Sequence, residues 1–124
     1  MIDFKNKTLF KLKQEDNEHA YKSVGELLVE GEGIIGSFVS MRDRVVFTNK
    51  RIISVNVQGI TGLKVDYTSI PYSKIQLFSV ETAGTMDLDA ELDIWLSSIG
   101  RIRFELTGNT DIIKLSKIIG EYVL

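Results

Sequence analysis

Four carboxylates, Asp87, Asp89, Glu91 and Asp93, occupy alternate positions, so on a strand all four face the same way. Oxygen clusters of this kind bind calcium. An EF-hand loop, however, would place glycine where Leu92 stands and glutamate where Ser98 stands. The pattern better fits a solvated sheet face, opposed by Arg101 and Arg103 on the next strand, and no metal is expected. Trp95 shares the odd-numbered face of those acids. It either anchors an interface or lies against a neighbouring arginine or under the N-terminal helices. The candidate protein interface is therefore Trp95, Asp93, Arg101 and Arg103.

A second cluster is basic. Arg42, Arg44, Lys50 and Arg51 form a patch for phosphate, anionic phospholipid or an acidic peptide if their two turns lie at one rim. Otherwise they are loop charges that keep a hairpin soluble and its edges unpaired. The single histidine, His19, lies in a polar run, and no cysteine is present for it to activate. A catalytic triad needs a geometry that nothing in the chain specifies. Thr48, Ser69 and Ser73 read as strand and turn hydroxyls, and Gly59, Gly62 and Gly84 fit neither a P-loop nor a dinucleotide fingerprint. The chain is read as non-enzymatic, with no cofactor and no identified small-molecule substrate.

The elements that hold these residues follow from hydrophobic period. From Leu9 to Leu28 apolar residues recur at helix-like intervals, broken by Gln14-Glu15-Asp16-Asn17-Glu18, which predicts two short helices or one broken one ending near Gly31. From Gly33 the period becomes two. Ile53, Val55 and Val57 alternate with polar residues, as do Val65 and Tyr67, then Leu92, Ile94 and Leu96, then Ile102, Phe104 and Leu106. With turns at Arg42-Asp43, Asn49-Lys50, Gly59 to Gly62, Ala83-Gly84 and Ser98-Ile99-Gly100, about seven antiparallel strands are predicted. After Gly108, a helix capped by Asn109, Thr110 or Asp111 carries Ile112, Leu115, Ile119 and Tyr122 on one side, with Lys114 and Lys117 away from it. That stripe plugs the open end of a bent sheet or partial barrel.

Composition narrows the role. At 124 residues the chain is one domain on ordinary priors, and 44% hydrophobic with 26% charged residues is a globular composition. The longest apolar runs fall far short of the roughly 20 residues of a spanning helix. Met1 to Lys7 lacks a signal-peptide apolar region, so a cytoplasmic location is the default expectation. A net charge of −2 with interspersed signs is not the basic excess of a nucleic-acid binder, and membrane attraction is left to a local patch alone.

Four stretches carry a family likeness. They are Arg42-Asp43-Arg44-Val45-Val46-Phe47-Thr48-Asn49-Lys50-Arg51-Ile52-Ile53, Gly59-Ile60-Thr61-Gly62, Ser69-Ile70-Pro71-Tyr72 and Phe78-Ser79-Val80-Glu81-Thr82-Ala83-Gly84. Together they resemble the bacterial pleckstrin-homology (PH-like) domain family. The resemblance implies an α+β, mainly β fold: residues 33–124 as the PH-like domain and residues 1–32 as a helical segment packed on it, one structural domain overall. It implies no catalytic residues, and assembly of some members into symmetric rings. Eukaryotic PH domains that bind phosphoinositides use lysines and arginines on the first two strands and their loop. Here that region is Phe38-Val39-Ser40-Met41-Arg42-Asp43-Arg44, whose aspartate between two arginines departs from the lipid-binding pattern. The expected role is a binding scaffold whose partner is protein, most simply another copy of itself. The alternative is a peripheral adaptor using the basic rim.

Overall fold

The computed structural model describes residues 8–59, 61, 64–86, 88–108 and 110–124. Met1 to Lys7, the turn residues Ile60 and Gly62, the acid Asp87 and the cap alternative Asn109 lie outside the described residues. Among the described residues eight strands form one sheet in the order β5-β4-β3-β2-β1-β8-β7-β6. They are β1 (Thr8–Gln14), β2 (Ile34–Val39), β3 (Asp43–Thr48), β4 (Arg51–Gln58), β5 (Lys64–Pro71), β6 (Ile75–Glu81), β7 (Ala90–Leu96) and β8 (Gly100–Thr107). The helices are α1 (Asn17–Val24) and α2 (Ile112–Val123). The PH-like architecture expected from the sequence is present, with eight strands among the described residues where about seven were expected.

The extra strand corrects the N-terminal reading. Residues Thr8–Gln14 are a strand, not a helix, and only Asn17–Val24 is α-helical in that segment, followed by a 3₁₀ turn at Gly25–Leu27. The cause of the error is local. A register shift lies between Leu9 and Leu12, with Lys11 at φ 53°. The irregularity turns both leucines, 7% and 0% exposed, into the core at a spacing of three that imitates a helix turn. β1 runs parallel to β8 and antiparallel to β2, and so joins the two halves of the sheet.

On the β2–β4 side both faces are covered. Val45, Phe47 and Ile52 enter the main core, while Val46, Ile53 and Val55 pack outward against Ala20 and Val24 of α1. The alternation expected of β4 therefore does not leave a wet face: Ile52, Ile53, Ser54 and Val55 are all buried. Asp16 caps α1 by accepting from the Glu18 N–H at 2.8 Å. The Asn49 side chain, at the tip of the β3–β4 hairpin, accepts from Gly33 N–H and donates to Gly31 C=O, both at 2.9 Å, which fixes the loop entering β2.

At the other end α2 behaves as its stripe predicts. Ile112, Leu115 and Ile119 are buried, Lys114 and Lys117 are exposed, and Asp111 caps the helix by accepting from Lys114 N–H. Tyr122 stacks on Tyr72 with ring centroids 5.3 Å apart, and the Tyr72 hydroxyl donates to Thr48 C=O at 2.8 Å. Pro71, the chain's one proline, ends β5, the outermost strand on that side among the described residues, where a lost N–H does least harm.

Candidate functional site

The basic residues are not brought together. Arg42 and Arg44 flank the start of β3, whereas Lys50 and Arg51 lie beyond its end. Six strand residues separate the two turns by about 20 Å at the usual rise. The four residues therefore do not share one rim, because the two turns stand at opposite ends of one strand.

Two of these arginines are also committed internally. Arg44 Nε contacts Glu15 at 2.6 Å, and Ser37 donates to the same carboxylate. Arg51 donates to both Glu32 oxygens at 2.9 Å, to Leu27 C=O at 2.8 Å and to the Ser69 hydroxyl at 2.9 Å. The Glu32 side chain is fully enclosed. Burial pushes the Glu15 and Glu32 carboxyls up, but hydrogen bonds from Arg44 and Ser37, and from Arg51, Thr48 and Val29, outweigh it and hold both below the usual range. Both acids belong to the N-terminal segment. Arg42 donates to Gly59 C=O at 3.1 Å, and Lys50 is exposed at the hairpin tip.

The acidic face is likewise partly consumed. Asp93 and Arg103 stand opposite each other and form a two-pronged pair at 2.8 and 2.9 Å, and Glu91 reaches the same guanidinium at 3.1 Å. The Asp93 hydrogen bonds raise Arg103 further above its ordinary value. This pairing is the cross-strand opposition read from the sequence. The remaining interface candidates differ: Trp95 is half-buried between Leu77 on β6 and Arg101 on β8, and Arg101 is exposed. α1 does not reach Trp95, since it packs on β2–β4, with β1 and β8 intervening.

What sequence reasoning missed is the exposure of the two sheet edges. β5 and β6 terminate the sheet, so each has one hydrogen-bonded neighbour among the described residues. Val65 and Tyr67, which alternate as a buried face would, are instead 40% and 42% exposed. Their cross-strand partners Val57 and Val55 put them on the outer face, where they extend the apolar cluster under α1 to the edge. At the opposite edge Leu77 is 52% exposed beside Trp95. No helix among the described residues is long and apolar enough to cross a membrane.

A bent, mainly β sheet closed by a C-terminal helix is the PH-like fold. The chain belongs to the bacterial PH domain family, which it matches over residues 3–123. It is 53% identical over 76 residues to the uncharacterized protein YjqA of Bacillus subtilis, a match spanning 61% of each chain. A second Bacillus subtilis protein, the uncharacterized YozO, is 29% identical over 82% of this chain and 88% of its own. The fold is similar to a pleckstrin-homology-domain protein of Shewanella loihica, with a TM-score of 0.80 and 37% identity over 92% of this chain and 98% of that one. A pleckstrin homology domain of Shewanella amazonensis aligns at TM-score 0.66 and 40% identity over 89% of this chain and 90% of that one.

Proposed function

We propose that this protein is a non-catalytic PH-like scaffold that works through protein contacts and associates with copies of itself. The observation that carries the reading is the exposed apolar residues on the two outermost strands among the described residues, Val65 and Tyr67 on β5 and Leu77 on β6 beside Trp95. Exposed apolar residues on the terminal strands of a sheet form a surface that another copy can cover. The two edges differ in sequence, so joining β5 of one copy to β6 of the next makes a heterologous contact. Such a contact yields a ring when its rotation closes and a filament when it does not. The arginines held by Glu15 and Glu32 support protein rather than anionic lipid as the partner, because their charge is already answered within the chain.

Absolute mass by light scattering behind a sizing column tests the reading. A discrete oligomer that persists on dilution and falls to monomer on Leu77→Glu is the expected outcome. A monomer at all concentrations would refute it.

A further inference from the structure

The sheet is not closed between β5 and the corner where β7 turns into β8, and the inner apolar face comes to the surface there. The resulting crevice has a volume of about 290 Å³. Ile70, Leu96, Ile99 and Ile102 line it, together with Lys74 and Ser97. A mostly apolar cleft with a few convergent polar groups is the usual form of a small-molecule site, and this volume lies at the lower end of their range.

From this chemistry we infer that the crevice binds an aliphatic carboxylate, its chain against the isoleucines and its head at Lys74. The charge argument is direct. Lys74 is the one charged residue lining the crevice, it makes no ion pair among the described residues, and no acid lines the crevice. The size argument sets the chain length. At about one water volume per methylene, the space takes roughly eight to ten carbons. A cationic amphiphile would meet Lys74, and a neutral alcohol would forgo the charged hydrogen bond. The inference is independent of self-association.

The test is titration of the intact protein with decanoate, decanol and decyltrimethylammonium, each below its micellar concentration, read by methyl resonances of isoleucine and leucine. Decanoate is expected to bind saturably at one site, with shifts confined to Ile70, Leu96, Ile99 and Ile102. Decanol should bind at least about tenfold more weakly, the value of one charge-assisted hydrogen bond. Lys74→Glu, at an exposed position, should lose decanoate binding, and Ser97→Trp should block the mouth. Equal binding of decanoate and decanol, no saturation, or shifts centred on Leu77 and Trp95 would overturn the inference. So would movement of the same methyls with protein concentration alone, since a second copy would then fill the crevice.

Discussion

The two halves of this sheet are built from similar alternating strands, yet they meet their surroundings in opposite ways. The β2–β4 half buries both faces: α1 covers Val46, Ile53 and Val55, and Glu15 and Glu32 answer Arg44 and Arg51. The β6–β8 half buries its apolar residues on the inner face, and no helix among the described residues covers the outer row of Leu77, Trp95 and Arg101. In effect, the N-terminal segment acts toward β2–β4 as a partner would, supplying apolar cover and matching charge from the same chain. The half that lacks such cover is where a partner from outside has something to gain. Arginine count alone thus does not separate charges answered within the chain from those left for a partner, and uncovered apolar area is a second signal to weigh beside it.

The comparison can be broken first at Arg51. Arg51→Ala leaves the enclosed Glu32 carboxylate without its counter-charge, held only by Thr48 and Val29 among the described residues, and should cost about 3 kcal/mol in urea unfolding. A change near zero would mean that the N-terminal cover contributes little. Leu12→Ala strikes the strand joining the halves and should cost roughly 3 kcal/mol, because Leu12 is fully buried in the main core. Trp95→Ala should weaken self-association on the order of tenfold or more while changing the unfolding midpoint less than Arg51→Ala does. An unchanged assembly would remove Trp95 from the contact.

Acid should act on the covered half. The folded carboxyls of Glu15 and Glu32 sit below their ordinary value of 4.5, so the unfolded chain binds more protons in that range. Their contribution is present above that value and is lost as pH falls through the lower folded values. Thermal melts should therefore decline below about pH 4.5, and the paired substitution Glu15→Gln and Glu32→Gln should flatten part of that decline. The smallest expected effect sharpens the account of β1. Lys11→Gly should relieve the φ of 53° and stabilise by no more than about 1 kcal/mol.

Much of the architecture was legible because period maps onto burial. β8 buries Ile102, Phe104 and Leu106 as its alternation requires, and α2 buries the stripe expected of it. β1 was illegible because a local irregularity rephased Leu9 and Leu12 to a helical spacing. Val65 and Tyr67 misled for a different reason. Alternation reports that a strand has an apolar face, but not whether another element covers it, and at β5 none of α1 reaches that far. The basic cluster failed because neighbouring turns in sequence lie at opposite ends of a strand in space. Its internal partners, Glu15 and Glu32, are 29 and 19 residues away in sequence, beyond any local pattern.

Amide hydrogen exchange at protein concentrations above and below the dissociation midpoint tests the central claim most directly. The account predicts that amides of Val65 to Ser69 on β5 and Leu77 to Glu81 on β6 slow as concentration rises, while β3 and α1 exchange at unchanged rates. Slowing confined to β3 and α1, or no dependence on concentration at either edge, would contradict it.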